Sequence, residues 1–71
     1  MADYEELKKL IAERGLKQRF IAQKIGVSDT RMHRLLTGGQ WKLDEVVAIC
    51  RLLSLTKKQR DDIFFSHEVG V

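Results

Sequence analysis

The 71-residue chain has no proline and one cysteine, Cys50. Without proline, the elements must be divided by glycine and polar turn residues. A lone thiol forms no internal disulfide. His33, Cys50 and His67 stand too far apart for the spacing of a zinc site, so no metal and no cofactor are expected. No apolar run approaches the roughly 18 residues that cross a bilayer. The start Met1-Ala2-Asp3-Tyr4 also lacks the basic and then apolar regions of a secretory leader, so a soluble, cytoplasmic chain is expected. Catalytic constellations are missing too. No glycine-rich phosphate loop follows a strand, and Asp61-Asp62 stands without supporting groups, so the chain does not read as an enzyme.

What the chain does have is a globular composition, 44% hydrophobic and 32% charged, with room for a single domain over residues 1–71. The net charge of +3 is too mild to identify a partner. Its distribution says more. From Arg14 to Arg34, six basic residues face one acid, Asp29, a net +5 that leaves −2 for the rest.

Period-2 alternation is nowhere sustained, and helical spacing recurs. Asp3 and Glu6 stand in capping-box spacing ahead of Tyr4, Leu7, Leu10 and Ile11, predicting a first helix over about 4–14 that ends at Gly15. A second, about 17–25, turns Ile21, Ala22 and Ile25 inward and stops at Gly26. Ser28 caps a third that runs to about Leu36, before Gly38-Gly39. Val46, Ile49, Cys50 and Leu53 predict a fourth over 43–53, with Asp44 and Glu45 suited to its first turn. Thr56 and Gln59 open a fifth containing Ile63, Phe64 and Phe65, and residues 66–71 read as a flexible tail. The expected fold is all-α, a compact five-helix domain.

The second and third helices, separated only by Gly26 and Val27, have the tight spacing of a helix-turn-helix over about 17–36. In that arrangement the second of the two helices enters the DNA major groove. At 100° per residue, Met32, Leu35 and Leu36 point inward. Thr30, His33, Arg34 and Thr37 point outward, with Asp29 and Arg31 on the borders. Arg31 and Arg34 are the leading base readers, because a guanidinium fork matches guanine O6 and N7. Thr30 can donate, accept or touch a thymine methyl. Asp29 accepts from cytosine N4 or, equally, serves as a first-turn charge or a clamp on Arg31. Lys17, Gln18 and Arg19 surround the amide-rich start of the second helix and suit phosphates. Gly39, Gln40 and Lys42, in the following loop, suit the same strand further along.

The run KQRFIAQKIGVSDTRMHRLLTG, Lys17 to Gly38, resembles the helix-turn-helix of the phage repressor and Cro family. Gln18, Ile21, Ala22, Gly26, Val27, Ser28, Met32 and Gly38 occupy the matching positions. LDEVVAICRLLSLT is similar to that family's fourth helix and the start of its fifth. The resemblance implies a lambda repressor-like domain. It further implies a phosphate contact at Gln18 that braces the first recognition residue, and base contacts at Asp29, Thr30, Arg31 and Arg34. Four positions depart from the pattern: Lys17 replaces a capping Thr, Thr37 an Asn, Ser54 a common Gly, and Phe20 a polar residue.

The sequence therefore reads as a duplex DNA-binding transcriptional regulator, a phage or bacterial repressor acting by operator occupancy in a bacterial or phage-infected cell. A second reading keeps the fold but gives it a protein partner, as in an antirepressor or regulatory subunit. A third is an architectural DNA binder whose arginines serve phosphates only. Phe20 lies off the inward arc of its helix, and adjacent Phe64 and Phe65 cannot point the same way, so these three are candidates for a protein or homodimer contact. Trp41 reads as a plug at the edge of the core, with stacking near sugar-phosphate as the alternative, and Cys50 as a small core hydrophobe.

Overall fold

The computed structural model describes residues 3–65. The tail read over 66–71, with His67 in it, lies outside the described residues. Five α-helices follow in order: α1 Tyr4–Glu13, α2 Gln18–Ile25, α3 Asp29–Leu36, α4 Leu43–Leu52 and α5 Lys57–Arg60. A π-helical turn, Asp61–Phe65, continues α5, and no strand occurs among the described residues. The expected all-α class and helix order hold.

One core joins the helices. Leu7, Leu10 and Ile11 of α1 meet Ile21 and Ala22 of α2, Met32 and Leu36 of α3, Val46 and Ile49 of α4, and Ile63 and Phe64 of the π turn. Burying one such side chain stabilises the fold by about 1.5–3 kcal/mol relative to leaving it exposed. At the N-terminus, Asp3 caps α1 by accepting from the Glu6 N–H at 3.1 Å. The Asp3–Glu6 box is only half made, because the Asp3 N–H donates to the Ile63 carbonyl at 2.6 Å. That bond ties the start of α1 to the π turn.

The helix ends repeat one solution. After α1, Gly15 at φ 66 lets its N–H reach Ala12 and the Leu16 N–H reach the Ile11 carbonyl. After α4 the same pair of bonds runs from Ser54 to Arg51 (3.2 Å) and from Leu55 to Cys50 (3.0 Å), yet Ser54 holds φ 53 with a Cβ present. The departure at Ser54 is thus a left-handed backbone position occupied by a residue that resists it.

The fifth helix differs most from expectation. Thr56 and Gln59 form the reciprocal box, at 3.1 and 2.9 Å, but α-geometry lasts only to Arg60. The smaller angular step of a π turn lets the consecutive Ile63 and Phe64 both face the core, while Phe65 turns outward at 38% exposure. Phe64 is consequently a core residue and not a surface contact: its ring meets Trp41 edge-on at 5.1 Å.

Candidate nucleic-acid interface

The turn between α2 and α3 is built by Gly26, whose φ of 81 lets its own N–H and that of Val27 both close on the Ala22 carbonyl at 2.9 Å. Ser28 then starts α3 by accepting from the Arg31 N–H at 3.0 Å. Met32 and Leu35 are fully buried and Leu36 nearly so, which leaves Asp29, Thr30, His33, Arg34 and Thr37 exposed on the other side. This is the outward arc read from the sequence. The Thr37 hydroxyl donates to the His33 carbonyl at 2.8 Å, so its proton is already engaged.

Lys17, Gln18 and Arg19 are all exposed at the start of α2. No side chain caps this helix and no acid lies in its first turn, so its positive end is left unneutralised. The link from here to α3 is an ion pair, Arg19 Nε to Asp29 Oδ2 at 3.5 Å, with both side chains well exposed. Asp29 therefore faces Arg19 and does not clamp Arg31. Gln18 makes no side-chain bond to α3.

The clamp on Arg31 comes from α4. Its Nε donates to Glu45 Oε2 at 3.0 Å, and its Nη2 donates to Glu45 Oε1 at 2.8 Å and to the Gln40 carbonyl at 2.9 Å. Glu45 is buried, its side chain 7% exposed against 29% for Arg31. The Lys42 N–H also donates to Glu45 Oε1, at 2.8 Å. The hydrogen bonds from Arg31 hold the Glu45 carboxyl below the ordinary glutamate value, and the same bonds raise the Arg31 guanidinium. Glu45 is the functional candidate that the sequence reading missed. Its place in the first turn of α4 announces the backbone bond to Lys42, but the partner 14 residues earlier depends on how α3 and α4 pack.

The loop after α3 is less free than expected. The Gly39 N–H donates to the Arg34 carbonyl at 2.7 Å and its carbonyl accepts from the Tyr4 hydroxyl at 3.3 Å, so Gly39 offers no backbone donor to a phosphate. Glycine is needed there for space: a Cβ would stand 2.7 Å from the Arg34 carbonyl oxygen. The Gln40 and Lys42 side chains are exposed. Trp41 does plug the core edge, its Nε1–H donating to the Leu35 carbonyl at 3.1 Å. Phe20 is 39% exposed, with the Lys24 ammonium 5.4 Å from its ring centroid. Cys50 packs against the core half-buried, and burial pushes its thiol up.

Among the described residues no cluster of three His, Cys, Asp or Glu could hold a metal, and no helix is long and apolar enough to cross a membrane. A family model for the Cro/C1-type HTH DNA-binding domain matches residues 6–58. No curated protein and no solved structure matches the chain.

Proposed function

The chain belongs to the Cro/C1-type helix-turn-helix DNA-binding family, and from that membership we propose that it is a sequence-specific repressor that acts by covering its operator. The observation that carries this reading is the exposed face of α3 beside the uncapped positive end of α2. Thr30 and Arg34 read base edges, while Lys17, Gln18, Arg19 and Lys42 hold phosphates, with the Gln40 side chain as a further contact. Gly39 takes no part in this, because its N–H is engaged within the protein. On this reading the protein works where its DNA is, in the cytoplasm of a bacterial or phage-infected cell.

A second copy completes the reading. Leu43, Val47 and Phe65, exposed at 74%, 42% and 38%, line one hollow on α4 and the π turn, an apolar patch that supports packing against its twin. Arg51, Lys57 and Arg60 line the same hollow, so packing two copies there gathers positive charge and the dimer is expected to tighten as salt rises. DNA binding shows the opposite trend, weakening by about 0.9 in log K per log salt for each neutralised phosphate.

Selection of random duplexes by the full chain tests both parts. Enrichment of a palindrome with half-sites about 34 Å apart is expected. A single half-site removes the dimer, and no enriched sequence removes sequence-specific repression. The rival protein-binding module is favoured by exposed Phe20, which has no part in the DNA reading. It gains if duplex binding is absent and Phe20→Ser abolishes capture of a protein partner.

A further inference from the structure

We infer that Glu45 is a positioning residue for DNA reading, fixing Arg31 so that one nitrogen, Nη1, is presented to a base-edge acceptor; this rests on the DNA reading proposed above. An arginine carries five N–H donors: one on Nε and two on each terminal nitrogen. Three are engaged here, on Nε and Nη2, by Glu45 and the Gln40 carbonyl. Both donors on Nη1 stay uncommitted, and the side chain is 29% exposed.

The two-nitrogen fork expected for guanine O6 and N7 is therefore closed to Arg31 while Glu45 holds it. A single-nitrogen contact remains. The holder is itself held, buried at the start of α4 with the Lys42 N–H on Oε1, so the guanidinium plane is set by both helices and the loop between them.

The pairing also divides two properties that an unpaired arginine offers together. A free guanidinium is drawn to any phosphate, which strengthens binding to all sequences alike. Beside a carboxylate its net charge is cancelled, while its directed donors remain. Arg31 thus adds discrimination with little general affinity, in contrast to Arg34, which has no acidic partner among the described residues. Its place in the first turn of α3 suits the base edges, which recognition helices approach with their N-terminal residues.

The experiment measures the binding of the full chain to its selected duplex and to a scrambled one, at two salt concentrations. The variants are Glu45→Gln, Arg31→Lys, Arg31→Ala and the double variant Arg31→Ala with Glu45→Gln, with thermal melting checking the fold of each. Glu45→Gln is expected to lower the preference for the selected duplex about tenfold. Its binding to the scrambled duplex should stay equal or tighten, with the salt slope steeper by about 0.9 as the released arginine finds a phosphate. Arg31→Lys keeps the charge pair without a presented Nη1, and should melt near the parent while losing the same preference. In the Arg31→Ala background, Glu45→Gln should remove no further preference.

Equal losses on both duplexes from Glu45→Gln, or an undiminished preference in a folded Arg31→Lys, overturn the role. A chain that binds no duplex at all overturns the DNA reading and this role with it. If Glu45→Gln alone fails to fold, Arg31→Lys and the double variant, which leaves no unpaired buried charge, decide the matter.

Discussion

Replacing Ser54 by glycine should make the protein more stable. Ser54 sits just past α4 at φ 53, where an L side chain costs roughly 1–2 kcal/mol relative to right-handed backbone. Glycine removes that strain but gains more freedom in the unfolded chain, an opposing loss of about 0.5–1 kcal/mol. Nothing else changes: Ser54 is exposed, its side chain makes no hydrogen bond, and its N–H bond to Arg51 is kept. Taken at the middle of both ranges, the difference is a gain of about 0.5–1 kcal/mol. For a domain of this size each kcal/mol is worth about 4–8 °C, so the midpoint should rise by about 2–8 °C. Thermal melting followed by circular dichroism measures it. The mirror experiment is Gly15→Ala, at φ 66 with open space around a Cβ, which should lower the midpoint for backbone reasons alone. A Ser54→Gly variant that melts at or below the parent, beside a Gly15→Ala variant that melts unchanged, would refute the claim that backbone strain governs these helix ends.

Gly39→Ala forces a methyl to 2.7 Å from the Arg34 carbonyl oxygen and should destabilise by about 1–3 kcal/mol in chemical denaturation, moving the end of α3 as it does so. Arg34→Ala should lower discrimination at one base position by about 1–3 kcal/mol, whereas Lys42→Ala should weaken every duplex alike; competition binding with single-base variants separates the two. Because the folded-state carboxyl of Glu45 is held below its ordinary value of about 4.5, its stabilising contribution is complete above the unfolded-state value. It is lost as pH falls through the lower folded value. Urea titrations between pH 7 and pH 3 should show this acid loss in the parent and a smaller one in Glu45→Gln; identical pH profiles would show that Glu45 is not the group responsible.

Helix positions were legible in the chain because local signals agreed. Gly15, Gly26 and Gly38 mark ends, Ser28 and Thr56 mark starts, and the apolar spacing of α1 and α3 sets which faces are buried. The exposed face of α3 was legible for the same reason, since 100° per residue needs no tertiary information. Three features were not legible. The π turn depends on Ile63 and Phe64 finding the core together, which a regular helical step cannot express. The occupation of Gly39 by Arg34 and Tyr4 depends on how the loop folds back, with 35 residues separating it from the tyrosine. The Arg31–Glu45 pair joins two helices whose relative placement comes from the core, so the sequence shows two charges and not their meeting.

Trp41 gives the molecule an optical handle of its own. It is the only tryptophan in the chain, its indole N–H rests on the Leu35 carbonyl in the last turn of α3, and its ring leans edge-on against Phe64. Fluorescence from this one indole therefore samples the C-terminal end of α3 and the seating of the π turn in a single signal. Loss of the core exposes the ring to water and moves its emission to longer wavelength, and if DNA seats on α3 as proposed it should perturb the same signal with the fold intact, so unfolding and docking can be told apart without attaching a dye.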